Sequence, residues 1–96
     1  MAVPASGRTE RIDNDRVRVS EWRLPPGTAT GWHRHEYDYV VLPLTTGKLK
    51  LVGDEAEEAV TAEIKAGEPY FRKAGVEHDV INPGDEEVVF VEMELK

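Results

Sequence analysis

The residues here best suited to chemistry are three histidines. Two of them sit one residue apart, in the stretch Gly27-Thr-Ala-Thr-Gly-Trp-His33-Arg-His35. Side chains alternate faces along a strand, so His33 and His35 point the same way if this stretch is extended. Imidazole is the commonest side-chain metal ligand, and an H-x-H pair on one strand face is half of a metal site. The third and last histidine, His78, lies in a separate patterned stretch. Three histidines that converge would form a metal site with His33, His35 and His78 as ligands. No histidine then remains for a Ser-His-Asp arrangement, and the chain has no phosphate-cradling G-x-x-x-x-G-K-[ST] loop.

Such a site needs extended segments to carry it, and the apolar pattern supplies them. Arg16–Leu24 alternates in part, with Val17 and Val19 on one face, and Pro25-Pro26-Gly27 stops it. Thr28–Glu36 has no helical apolar period. Tyr39–Leu44 is rich in β-formers, and Pro43, which cannot donate to a ladder, belongs at an edge or bulge. Lys48–Val52 alternates cleanly, as does Val60–Ile64. Tyr70–Arg72 and His78–Asn82 read as short strands, with Asn82 a turn residue before Pro83-Gly84. In Glu87–Leu95, Val89, Val91, Met93 and Leu95 share one face, and Val88 and Phe90 share the other. That second apolar face predicts cover on both sides at the start of this strand, by a partner subunit. Asp54–Ala59 has helix-forming residues but is too short to hold a helix alone. Short strands with turns every few residues predict an all-β sandwich or barrel.

Composition narrows the rest. Ninety-six residues predict one domain, 1–96, with 1–7 a loose end. The absence of cysteine removes disulfides, thiolate ligands and a cysteine nucleophile. No apolar run suits a signal peptide or a membrane span, so a cytoplasmic protein with no membrane partner is expected. A net charge of −7 with scattered Lys and Arg argues against nucleic acid. The acidic clusters read as solvated turns.

With these residues in place, the chain resembles a small cupin, a jelly-roll β-barrel. The family's first motif runs glycine, five residues, H-x-H, three or four residues, glutamate, six residues, glycine. Here Gly27 precedes His33-Arg-His35 by that spacing, and Gly47 stands near the closing glycine. The second motif runs glycine, five residues, proline, any residue, glycine, two residues, histidine, three residues, asparagine. Gly67, Gly75, His78 and Asn82 match it, and only the proline differs, being Lys73. The matched span is Gly27–Asn82. The resemblance implies a metal-binding barrel that acts on a small molecule in its mouth, and a homodimer.

One departure matters. The family's carboxylate ligand falls at position 39 or 40, and these are Tyr39 and Val40. Glu36 or Asp38 enters only if a bulge turns it inward. Three neutral imidazoles leave a divalent ion its full charge, with room for water, O₂ or a chelating substrate. Fe, Ni, Zn, Mn or Cu would suit, and affinity order does not choose among them. Similar three-histidine cupins include thiol and diketone dioxygenases. A metal-dependent oxygenase is therefore the first expectation. A non-catalytic ligand-binding or sensing module is the alternative from another class, and a cupin isomerase or lyase is a third. Tyr39 is the candidate catalytic residue: a hydrogen-bond donor behind the ligands, a weak ligand, or a general base if a metal lowers its pKa from about 10. A packed aromatic is the plainer role. By alternation Trp32 faces outward. Tyr37, Tyr70 and Arg72 are candidates to line the pocket, and Arg72 or Arg34 could meet an anionic substrate.

Overall fold

The computed structural model describes residues 7–53 and 59–96, and among them every regular element is a strand. In chain order these are β1 (Gly7–Asp13), β2 (Val17–Leu24), β3 (His33–Arg34), β4 (Asp38–Pro43), β5 (Gly47–Val52), β6 (Ala59–Ile64), β7 (Tyr70–Arg72), β8 (Glu77–Ile81) and β9 (Val88–Leu95). They form a five-stranded sheet in the order β1-β2-β9-β4-β7 and a four-stranded sheet in the order β3-β8-β5-β6. Every pairing among the described residues is antiparallel. The two inner faces meet over one apolar core that includes Leu24, Val41, Leu49, Ile64, Val80 and Phe90. This is the all-β jelly-roll barrel expected from the sequence. The reading of Asp54–Glu58 as an acidic turn lies outside the described residues.

Two expectations need correction. Gly7 is not part of a loose end but opens β1, a strand that sequence patterning does not reveal. All seven residues of β1 are exposed, so no apolar alternation marks it. Among the described residues it pairs with β2 alone, with a bulge between Glu10 and Ile12. An edge strand with charged side chains is a common way to blunt unwanted edge pairing. Asn82 is also more than a turn residue. It is 1% exposed. Its Nδ2 donates to the carbonyls of Leu24 and Glu86 at 2.8 and 2.7 Å, and its Oδ1 accepts from the Gly84 N–H at 3.0 Å. It clamps three segments at the closed end of the barrel.

Pro43 ends β4 beyond the reach of β7, whose pairing stops at Val41, so the missing N–H faces no strand on that side. Gly27 and Gly75 have φ of +76° and +97°, a backbone state that favours glycine. Gly47 is needed for a different reason: a Cβ there would sit 3.3 Å from Val88 Cγ2. The cover expected over the start of β9 comes in part from the chain itself. Val89 is buried beside the β4–β5 turn and bonds to Leu44 N–H, Thr45 N–H and Thr45 Oγ1.

Candidate metal centre

The geometry of the site follows from three local devices. First, β3 pairs with β8 so that His33 stands directly across from His78. The stretch before β3 is tied to β8 as well, since Thr30 N–H donates to the Val80 carbonyl at 2.9 Å and Gly31 N–H to Asp79 Oδ1 at 3.0 Å. Second, His35 lies just past the end of β3 and is held by the turn after β7. Its N–H donates to the Val76 carbonyl, and its carbonyl accepts from Gly75 N–H, both at 2.8 Å. Asp38 Oδ1 accepts from Ala74 N–H at 2.8 Å and fastens the same turn. Third, His33 Nδ1–H donates to the Gly31 carbonyl at 2.8 Å, which leaves its Nε2 lone pair free.

These constraints bring the three imidazoles together. The Nε2 atom of His35 lies 3.0 Å from that of His33 and 3.0 Å from that of His78. Two ligands at about 2.1 Å from an ion stand about 3.0 Å apart when they meet at a right angle, and about 3.4 Å apart at the tetrahedral angle. The two spacings from His35 are therefore those of ligands that would meet at about a right angle. Burial, with the neighbouring cationic charge, lowers both His35 and His78 to about 4. Both rings are neutral near pH 7 and can donate a lone pair. Together His33, His35 and His78 could hold a metal ion, and no carboxylate joins them in the cluster among the described residues.

Glu36 and Asp38 do not supply one. Glu36 is exposed and paired with Arg34 at 3.6 Å, while Asp38 is occupied with Ala74. Tyr39 takes the inward position, and Val40 faces out between Met93 and Phe71. The Tyr39 side chain is 2% exposed, and its ring stacks on His35 with centroids 3.9 Å apart. Burial and the nearby Glu92 push its phenol upward, so this environment favours the protonated form over a general base.

The carboxylates inside the barrel come from β9, where sequence reasoning did not look. The inner face of the five-stranded sheet carries two polar rows. Arg18, Glu94, Tyr39 and Arg72 form one; Ser20, Glu92, Val41 and Tyr70 form the next. Arg18 grips Glu94 through two contacts of 3.3 and 2.6 Å. Glu92 Oε1 lies 4.0 Å from His35 Nδ1, on the side of the ring away from the Nε2 cluster. Its burial, and then Glu94 beside it, raise the Glu92 carboxyl to about 7. The signal was present in the alternation: Glu92 and Glu94 share a strand face with Val88 and Phe90, which cannot point to solvent.

A cavity of about 350 Å³ opens beside the cluster. His33 and His78 stand at one part of its wall, Val41, Leu49, Ile64 and Phe90 give it an apolar body, and Tyr70 and Arg72 line it too. Tyr37 does not line it and is exposed, and Trp32 faces solvent as alternation predicts.

Comparison with known proteins agrees with this architecture. A β-alanine degradation protein, BauB, of Pseudomonas aeruginosa is 54% identical over 93 residues, covering 97% of this chain and 96% of that protein. An oxalate-binding protein of Thermotoga maritima is 27% identical over 82 residues, covering 85% of this chain and 64% of that protein. The crystal structure of a cupin domain from Bordetella pertussis superposes with a TM-score of 0.95 at 55% identity, over 100% of this chain and 98% of that one. The cupin domain family pattern matches residues 20–94, and the chain belongs to the cupin family.

Proposed function

We propose that this cupin binds a divalent transition metal through His33, His35 and His78 and acts on a small molecule in the adjoining cavity, with oxygenase-type chemistry. The observation that carries this reading is the meeting of three imidazole Nε2 atoms, two of them from residues, His33 and His78, that line a mostly apolar cavity. A metal held there would supply Lewis acidity and open coordination positions. The chain's own residues do the rest. Thr30, Gly31 and the Gly75 turn fix the ligand geometry, and Val41, Leu49 and Phe90 exclude water from a bound molecule. The similarity to BauB supports a place in the breakdown of a small metabolite. Oxygen uptake by the Fe(II)-loaded protein, offered thiols, diketones and aromatic diols, tests the reaction class, with His33→Ala as control. Turnover that depends on His33 supports it; no turnover across the panel contradicts it.

A ligand-binding module without chemistry is the second reading. Tyr39 favours it, because the phenol nearest the cluster is held protonated, and so does the name of the oxalate-binding relative. We also propose a homodimer through the outer face of the five-stranded sheet. There Ile12, Val19, Met93, Val40 and Phe71 form one apolar row across all five strands, and its ends, Ile12 and Phe71, are 47% and 48% exposed. Monomers rarely leave such a continuous apolar surface open, and a flat sheet face packs on its own copy about a two-fold axis. In the next row Glu21 is paired with Arg11 and Arg23, so little unbalanced charge opposes this packing. Sedimentation of the wild type as a dimer, and of Val40→Glu as a monomer, is the expected result. A monomeric wild type at micromolar concentration contradicts it.

A further inference from the structure

We infer that Arg72 is the anchor for the charged end of the ligand, and that the ligand is a small carboxylate with an apolar body. The inference rests on the reading above that this cavity is the ligand site, and it begins from how the arginines are used. Arg8, Arg11, Arg18, Arg23 and Arg34 each lie within 4.0 Å of a carboxylate oxygen. Arg16 and Arg72 have no such partner among the described residues, in a chain with 19 acidic residues and a net charge of −7, and Arg16 does not line the cavity. Arg72 is the arginine that lines it, along with His33 and His78.

Its position is fixed without neutralising it. Arg72 faces inward from β7, across from Tyr39 on β4. Its guanidinium lies over the Tyr70 ring, 4.6 Å from the centroid. Its Nη1 donates to the carbonyl of Phe71 at 2.9 Å. A ring face and one carbonyl orient the group but leave its charge and most of its five donors unspent. The same polar row shows the contrast: Arg18, at its other end, is satisfied by Glu94. A planar guanidinium fork matches a carboxylate in a two-bond geometry. Arg72 itself is exposed, so it stands where the cavity meets solvent, and Val41, Leu49 and Phe90 line the part that would cover the ligand's apolar body. The cavity, about 350 Å³, lies at the low end of the range of about 300–1,000 Å³ typical of ligand sites, so the molecule is small.

The test is calorimetric titration of propionate and butyrate, each against its neutral amide, into wild type, Arg72→Gln and Arg72→Lys. Each titration is run on metal-free and on Zn(II)-loaded protein, with thermal melts to confirm folding. The wild type should bind each acid at least about tenfold more tightly than its amide. Arg72→Gln should lose about ten- to a hundredfold in affinity for the acids and little for the amides, with unchanged zinc stoichiometry. Arg72→Lys should recover part of the loss, because it restores charge without the fork. Equal affinity for acid and amide, acid binding retained in Arg72→Gln, or no binding of any acid to either wild-type form overturns the inference. Failure of zinc to bind would count against the metal reading instead. The Arg72 dependence is then decided on the metal-free protein.

Discussion

Along β9, Val88 and Phe90 face the same interior as Glu92 and Glu94, a few residues further on. The first pair belongs to the closed end of the barrel, where Leu24 is fully buried and Asn82 spends every side-chain hydrogen bond on backbone. The second pair belongs to the histidine end. There two carboxylates, three imidazoles and a tyrosine are buried or half-buried together. At this end Ser20 Oγ, across from Glu92, is buried with no hydrogen-bond partner among the described residues. Buried polar groups that are not satisfied cost stability, so the closed end holds the fold while the histidine end carries a cost that the proposed metal site would explain.

The contrast can be broken from either side. The largest effect on folding should come from the closed end. Leu24→Ala should lower the unfolding free energy by about 3 kcal/mol, by lost burial and a residual cavity, while zinc stoichiometry stays as in wild type. Urea unfolding and a zinc titration on the same sample check both halves of that statement. At the histidine end the sign should reverse. In the folded protein the Glu92 carboxyl is raised to about 7, above its ordinary value of 4.5. The stability associated with the protonated form is fully present below about pH 4.5 and is lost as pH rises through 7. Glu92→Gln keeps a neutral group there at every pH. It should stabilise the metal-free protein by about 2–3 kcal/mol at pH 8, with the gain vanishing near pH 4.5. A pH series of urea melts reads this directly, and destabilisation at pH 8 would show that the charge itself is needed. The smallest effect should fall outside the barrel. The Arg11–Glu21 contact of 3.3 Å joins exposed Arg11 of β1 to β2, and Glu21 keeps Arg23 as a second partner, so Arg11→Ala should leave the urea midpoint unchanged.

How much of this was legible in the sequence depends on what each feature needed. The histidines were readable because H-x-H on an extended stretch and a third histidine at motif spacing are local patterns. The inward position of Tyr39 followed from alternation counted from His35, even though β3 ends at Arg34. Most strands were legible because one face was apolar and the other polar. β1 was not, because an exposed edge strand has no buried face to pattern. Glu92 and Glu94 were missed for the opposite reason. The apolar residues Val89, Val91, Met93 and Leu95 draw attention to the outer face, where Met93 belongs to the row proposed to meet a second copy. On this strand hydrophobicity alone does not separate inside from outside. Asn82 was placed correctly at a strand end, but its clamp depends on Leu24 and Glu86, and Leu24 lies 58 positions away in the chain.

The central claim is that three neutral imidazoles, with no protein carboxylate, form the metal centre. A crystal structure of the protein reconstituted with Fe(II) or Zn(II), with the ion located by anomalous scattering, tests it most directly. The account predicts one ion per chain bound to the Nε2 atoms of His33, His35 and His78 at about 2.0–2.2 Å, with water or a small ligand in the remaining positions. An ion bound by Glu36, Asp38 or Glu92, or no ion at the cluster under saturating metal, would contradict it.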